Sequence, residues 1–367
     1  SVERFLAVGT SPAAAIGEAL RMKGTPTQVL RGRVIESGAG VAGAEIRFTL
    51  GGASVTGYTD DEGRFNIHAP KEVKSLVVED RGRPSLKIEL PAPDSAGVCD
   101  AGDLGVAPAS RVRFSITDGA GREMPCKVLF AGVDGTKDPD LGPKERAHGC
   151  KEQYHSERGS FVVAVPPGSY EVTVVRGPEY AHHLQKVNVA EGEEVRVQAK
   201  LERLVDTTGW ISADFHNHST PSGDNVCDTD GRLINLAAEH IEFAPTTEHN
   251  RLYDWEPMIR ELGLSPFLKT VKGLELTGRG QHFNAFPFEP KPYEQDGGAP
   301  VWNDDPRIAA LTLRRWQGER PERWIQFNHP NLGHLFADRD EDGKVDGGFF
   351  SVGTLVDGSE SQNFRDS

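Results

Sequence analysis

The sequence predicts a multidomain chain, with two β-sandwich modules followed by a β/α barrel. Three patterns lead there. Apolar and polar residues alternate with period two from Gln28 to about Ala92, and they do so again from Val112 to Leu201. From Trp210 onward, short apolar segments each carry a His, Asp or Glu at or near their ends, with helical periodicity between several of them. A length of 367 residues suits two or three domains. They are placed at 1–27 (an N-terminal segment), 28–107 and 108–206 (the sandwiches) and 207–367 (the barrel).

The N-terminal segment joins a short apolar stretch, Phe5 to Val8, to a helical pattern over Ala13 to Leu20 that stops at Gly24 and Pro26. It is too small to stand alone and is expected to pack on a neighbour. In the first module Val29, Arg31, Arg33 and Ile35 alternate with Leu30, Gly32 and Val34, and turns fall at Ser37 to Gly40 and Asp60 to Gly63. The acidic turn has the composition of a calcium loop, but turn chemistry accounts for it more simply. The second module is a loose repeat of the first: Gly159-Ser-Phe161 corresponds to Gly63-Arg-Phe65, and Val162 to Val174 forms a hairpin bending at Pro166-Pro-Gly168. Gly132 to Arg158 is polar and irregular and reads as a long loop. Its His148 and His155, like His182 and His183 further on, are scattered and expected to be solvent-exposed rather than ligands.

A linker at Glu202 to Thr208 leads into the barrel, where Trp210, Ile211, Ala213 and Phe215 read as a buried strand broken by Pro221, Ser222 and Gly223. His216 and His218 lie at i and i+2, so both imidazoles project to one side of that strand's end, and Asp224 follows six residues later. Imidazole with carboxylate is the donor set for zinc, iron or manganese, although a lone His-x-His also fits two surface histidines. Four later segments strengthen the case. The run after Phe243 and Ala244 ends in His249, and Glu275 stands between Leu274 and Leu276, where a buried charge is costly without a cation nearby. Gln281 to Phe286 carries His282, and Trp324 to Pro330 carries His329. Helical patterns at Leu233 to Ile241 and Ile308 to Trp316 lie between, the alternation of a barrel with its chemistry at the C-terminal rim of the strands. Asn217, Asn250 and Asn284 each adjoin one of these histidines; they either orient ligands and touch substrate or simply form turns. His240 reads as surface or core, and His334 is left open. Asp338, Asp340, Asp342 and Asp346 match part of a calcium loop, but Phe349 stands where its bidentate Glu belongs, so an acidic solvated loop is the alternative.

Composition narrows the partners. Apolar residues at 37% and charged residues at 26% describe a globular protein, and no apolar run approaches the ~20 residues needed to span a bilayer. A net charge of −14 without a basic stripe argues against a nucleic-acid partner. The four cysteines (Cys99, Cys126, Cys150, Cys227) show no CxxC spacing, so a thiolate zinc site is not expected. Cys126 and Cys150 either pair across the long loop in an exported protein or remain free buried thiols. No signal peptide is visible at Ser1 to Arg4, a start that reads as the interior of a longer chain.

Taken together, the motifs HNH at 216–218, Asp224, TEHN at 247–250, GLELT at 273–277, GQHFNAFP at 280–287 and FNHPN at 327–331 resemble the PHP superfamily of metal-dependent phosphoesterases, and more narrowly its carbaryl-hydrolase-like CehA/McbA branch, from about Thr207 to the chain end. TDDEGRF at 59–65 resembles the carboxypeptidase-regulatory-like β-sandwich. The first resemblance implies a distorted seven-stranded (β/α)7 barrel holding two or three divalent ions (Zn, Mn or Fe). It implies that His216 and His218 bind one metal, that Glu275 bridges to a second completed by His282 and His329, and that Asp224 and His249 begin a third. Glu275, His249 and Asn250 would carry the catalysis. Two departures stand out: Glu248 replaces the family's Asp, and the late Asp-x-His that closes the family's site is missing. The second means either that the chain is cut short of its last ligands, which is the expectation favoured, or that the site is incomplete by nature.

The expected activity is hydrolysis of a small-molecule phosphoester or of a carboxylic or carbamate ester, since metal ions lower the pKa of bound water from about 15.7 to near 7. Sandwich modules ahead of a hydrolase suggest export by analogy. The competing reading is a catalytically inactive cell-surface or carbohydrate- or protein-binding protein that retains a PHP-like barrel. An HNH nuclease is the weakest option, because the partner elements of a ββα-metal hairpin are not found and the charge opposes DNA. Oligomeric state is left open.

Overall fold

The computed structural model describes residues 6–279, 281–330 and 351–360. Helix α1 (Pro12–Met22) starts at Ser11, whose hydroxyl accepts from Ala14 N, with Pro12 in the first turn. It lies on the first sandwich, where Gly17 permits close approach: a Cβ there would stand 2.7 Å from His68.

Strands β1 (Thr27–Glu36), β2 (Ala39–Gly40), β3 (Glu45–Leu50), β4 (Ala53–Tyr58), β5 (Arg64–Pro70), β6 (Ser75–Glu79), β7 (Leu86–Glu89) and β8 (Val98–Gly105) build that sandwich. One sheet joins β1 antiparallel to β2 and β5 and parallel to β8; the other runs β4-β3-β6-β7. Period two buries Leu30 and Val34 of β1, Ile46 and Phe48 of β3, and Phe65 and Ile67 of β5 in one core. The acidic turn is explained by its own backbone: Asp60 Oδ1 accepts from Glu62 N (3.1 Å) and Arg64 N (2.7 Å).

The second sandwich comprises β9 (Arg111–Asp118), β10 (Cys126–Val133), β11 (Gln153–Ser156), β12 (Ser160–Ala164), β13 (Gly168–Val175), β14 (His183–Val189) and β15 (Glu194–Leu201), in sheets β12-β9-β15 and β11-β10-β13-β14. Phe114, Ile116, Phe130, Tyr170 and Leu201 fill its core. The repeat has a physical basis. Gly63 O accepts from Val34 N and Gly159 O from Ile116 N. A Cβ on Gly63 would lie 2.4 Å from Val34 O, and one on Gly159 1.9 Å from Ile116 O. Each glycine thus lets a turn press against the module's first long strand.

The C-terminal region corrects the expected barrel. It contains α2 (Thr229–Ala238), α3 (Glu256–Glu261) and α4 (Pro306–Arg315), of 10, 6 and 10 residues. Its strands β16 (Leu274–Thr277), β17 (His282–Phe286), β18 (Trp324–Phe327) and β19 (Gly358–Ser359) form one mixed sheet in that order. The first two pairings are antiparallel and only β18–β19 is parallel. Upstream, the chain contributes single parallel bridges, Ala213–Phe243, Phe243–Lys269 and His249–Glu275. A (β/α)7 barrel needs parallel strands joined by crossovers, and a turn as short as the one between β16 and β17 permits only a hairpin. Among the described residues the protein is mostly β-sheet, with four short α-helices. Trp210 and Ile211, expected inside a strand, are 80% and 67% exposed.

The second sandwich and the C-terminal region are packed together. Buried Arg176 donates from Nη1 to Pro125 O (2.5 Å) and to Ala237 O (3.1 Å) at the end of α2, with its guanidinium over Tyr180 and Phe267. Lys127 pairs with Glu239, and His155 lies 3.5 Å from the same carboxylate. His155 is therefore buried in this interface, not solvent-exposed. His240 is also buried, edge-on to Tyr180. All four cysteines are free thiols, which removes the Cys126–Cys150 pairing. His334 and the calcium-loop residues Asp338, Asp340, Asp342 and Asp346 lie outside the described residues.

Candidate metal centre

Strand β16 sets the centre. Leu274 and Leu276 point into a core shared with Phe283, Ile325 and Phe327, so by alternation Glu275 points to the opposite face. Its side chain is fully buried. Five imidazoles surround it. Glu275 Oε1 lies 3.4 Å from His216 Nε2, 3.0 Å from His282 Nδ1 and 3.6 Å from His329 Nε2. Oε2 lies 3.3 Å from His218 Nε2 and 2.9 Å from His249 Nδ1.

The five histidines arrive on four stretches of backbone. His216 and His218 come from the segment bridged to Phe243 through Ala213, as their i, i+2 spacing requires. Thr247 Oγ1 accepts from Asn217 N (2.9 Å) and donates to Asn217 O (2.5 Å), fixing that segment, while Asn284 Nδ2 donates to Phe215 O (2.7 Å). His249 stands opposite Glu275 in a parallel bridge, His282 opens β17 opposite Thr277, and His329 follows β18 with φ +26°. Asp224, with its side chain 64% exposed, reaches the cluster through His249 Nε2 at 3.1 Å. Asn250 is placed beside the centre at φ +50°, but its amide is engaged at both ends by Thr277, accepting from its N (2.9 Å) and donating to its O (3.0 Å).

Three further residues belong to the centre and were not picked out from the sequence. Asn328 Nδ2 donates to Glu275 Oε1 (2.9 Å). Buried Glu248 accepts from Ser219 Oγ and Ser222 Oγ, both at 2.5 Å. Glu360 Oε1 lies 2.6 Å from His216 Nδ1, and Glu360 Oε2 accepts from His329 N at 2.6 Å. The sequence marks Glu248 only as standing where the resembled family has Asp, beside His249 in the polar stretch that follows Phe243 and Ala244; for Glu360 the available signal was a carboxylate following the small pair Gly358 and Ser359.

The electrostatics are those of a cation site. Burial opposes charge on Glu275, yet His216, His249, His282 and His329 hold its carboxyl far below the usual range. Burial likewise opposes charge on His216, but Glu275 and Glu360 outweigh it and raise its pKa to about 9. His218, 3.0 Å away, is lowered to about 4 by burial and by its neighbours His249 and His216. Glu275 raises His249 against its burial. Glu275 Oε2 is buried without a hydrogen bond although two imidazole nitrogens stand within 3.3 Å. Imidazole nitrogens and carboxylate oxygens converging in this way are the donor set of a divalent ion of the zinc, manganese or iron class. The donor atoms form two groups, His216–Glu275–His329 and His218–His249–Glu275, with Glu275 common to both. This grouping differs from the assignment of His216 and His218 to a single metal.

No family model matches the chain, and no curated protein matches it. Among solved structures it is similar to a streptococcal ancillary pilin, at 13% identity over 48% of this chain and 62% of that one, with a TM-score of 0.25. It is similar to GBS52, the minor pilin of Streptococcus agalactiae, at 10% identity over 50% and 99% with a TM-score of 0.24. A DUF3823 family protein from Parabacteroides merdae matches at 12% identity over 46% and 100% with a TM-score of 0.19. TM-scores this low carry no inference about function. The resemblances to the PHP superfamily, its CehA/McbA branch and the carboxypeptidase-regulatory-like modules are therefore withdrawn: neither the mixed sheet nor any family match supports them. The β-sandwiches themselves stand. No helix among the described residues is long and apolar enough to cross a membrane.

Proposed function

We propose that the cluster around Glu275 is a binuclear divalent-metal centre and that the chain is a metal-dependent hydrolase of a small ester or phosphoester. One observation carries this reading: a fully buried carboxylate stands within 3.6 Å of five imidazole nitrogens and is shared by two donor groups. A purely structural sheet has no use for such a charge, and burying it without a cation is costly. When bound, the metal ions would supply a hydroxide at neutral pH and polarise the scissile ester or phosphoryl oxygen.

The chain's own residues do the rest. Glu275 fixes the spacing of the two donor groups and partly neutralises their charge. Asn328 holds Oε1 of that carboxylate in place from a buried position. His249 connects buried Glu275 to exposed Asp224, giving a proton a route from the cluster to solvent. Thr277 Oγ1, 2.5 Å from His249 Nδ1, steers that ring.

The two sandwiches favour a second reading, an exported or surface protein whose centre holds metal without turnover, and an exported location suits both. Metal analysis of purified protein, with turnover of p-nitrophenyl phosphate and 1-naphthyl acetate, separates them. The hydrolase should carry about two divalent ions, and Glu275→Gln should lose both the ions and the turnover. Bound metal without turnover of either ester selects the second reading. Protein free of transition metal, or a Glu275→Gln variant of undiminished turnover, overturns the proposal.

A further inference from the structure

Each donor group has its own outer carboxylate. Glu360 touches both histidines of one group, through His216 Nδ1 (2.6 Å) and His329 N (2.6 Å), and those two rings stack at 24°. Glu248 serves the other group through Ser222. Ser222 Oγ donates to Glu248 Oε2 (2.5 Å), lies 3.0 Å from His218 Nδ1 and accepts from His249 N (3.1 Å). The His218 and His249 rings stack at 13°, with centroids 4.4 Å apart.

Proton bookkeeping gives these contacts a consequence. Ser222 has one hydroxyl proton, and Glu248 takes it. The hydroxyl can therefore only accept from His218, which places the proton of neutral His218 on Nδ1 and leaves a lone pair on Nε2. Glu360 is a carboxylate and also only accepts, so neutral His216 is held in the same tautomer. The two free Nε2 atoms then face each other at 3.0 Å, with the Glu275 carboxylate 3.3–3.4 Å from each. Among the described residues no other carboxylate is in contact with the His216 or His218 ring; Asp214 Oδ1 accepts from the His216 backbone N (3.0 Å).

We infer that Glu360 and the Ser222–Glu248 pair are separate positioning devices, one for each metal subsite: Glu360 sets the tautomer of His216 and anchors the backbone of His329, and Ser222–Glu248 sets the tautomer of His218 and anchors the backbone of His249. The inference rests on the binuclear reading and adds that the two subsites are tuned independently. Outer partners of this kind change metal affinity by about 10–100-fold when removed.

The test is calorimetric titration of chelator-stripped full chain with Mn2+ alone, with 15N chemical shifts of the histidine rings recorded on parallel samples loaded with diamagnetic Zn2+. Glu360→Gln should weaken one class of site by about 10–100-fold, leave the other unchanged and release the Nδ1-H tautomer of His216. Glu248→Gln should weaken the other class and release His218. Because Glu248 is fully buried and its variant can fail to fold, Ser222→Ala is the second probe; it leaves the contacts between Glu248 and Ser219 in place. The Glu360→Gln/Ser222→Ala double variant should weaken both classes. Wild type that takes up no Mn2+ defeats the metal reading itself. Wild type that binds two ions, with both variants weakening the same class or neither, defeats the independent-subsite inference alone.

Discussion

Arg176→Met tests how far the second sandwich and the C-terminal region form one unit. In the native protein the guanidinium gives Pro125 O and Ala237 O their donor across the interface and lies over Tyr180 at 5.5 Å and Phe267 at 5.3 Å. Methionine keeps most of the volume and loses both hydrogen bonds, so Pro125 O loses its donor, at about 1–3 kcal/mol, while Ala237 O keeps His240 N (3.2 Å) and forfeits one charged hydrogen bond, about 1.5–3 kcal/mol. Against this, the change relieves the desolvation of a cation whose pKa burial lowers, and removes Arg176 Nε, which is buried without a partner. Apolar replacement of buried charge often recovers 1–4 kcal/mol, about as much as one orphaned carbonyl costs. With Pro125 O orphaned, one bond to Ala237 O lost and the cation–π contacts gone, the balance is a net loss of about 1–2 kcal/mol. Urea unfolding followed by tryptophan fluorescence, which reports the C-terminal region that holds all five tryptophans, and by far-ultraviolet circular dichroism, which reports the sandwiches as well, reads both the midpoint and the number of transitions. Wild type should unfold in one transition across residues 108–330; the variant should show a lower midpoint and, if the interface was the coupling, two transitions. Equal or greater stability in Arg176→Met would show that the desolvation cost outweighs the two hydrogen bonds.

Other substitutions probe the frame and the centre. Gly159→Ala puts a Cβ at 1.9 Å from Ile116 O, and overpacking of this kind should cost about 1–3 kcal/mol, read as a fall in Tm. Burial pushes Glu239 up, but His155 and Lys127 outweigh this and hold it below the ordinary carboxylate value of about 4.5. Its contribution to stability is therefore present above about pH 4.5 and lost as pH falls through the depressed value, so the stability gap between wild type and Glu239→Gln should close in acid, by denaturant titration from pH 7 to pH 3. Asn328→Ala removes the 2.9 Å bond to Glu275 Oε1 and should weaken metal binding by about 10–100-fold in equilibrium dialysis while the far-ultraviolet spectrum stays unchanged.

Much of this architecture was legible in the sequence because it depends on short-range periodicity. Leu30 with Val34, and Phe65 with Ile67, announce their buried faces by alternation, and Gly63 and Gly159 mark the repeat. Convergence of His216, His218, His249, His282 and His329 on Glu275 was also legible, because each sits at or near one end of a short apolar segment, and such ends lie close together where the segments run side by side. Strand direction was not legible. Glu275 and His282 are joined by too few residues for a crossover, yet the apolar runs on either side look the same whichever way the chain turns. The outer carboxylates were hidden for a different reason: Glu360 meets His216 across 144 residues, a distance no local pattern encodes. Trp210 and Ile211 misled because apolar character marks a strand only when something covers it.

The alternation Leu274, Glu275, Leu276 leaves this strand almost no freedom to misalign. Sliding it by one position would drive two aliphatic side chains among the imidazoles and push an ionised acid in among Phe283, Ile325 and Phe327. Both errors are costly, so the same three residues that assemble the centre also proofread the sheet on which it is built.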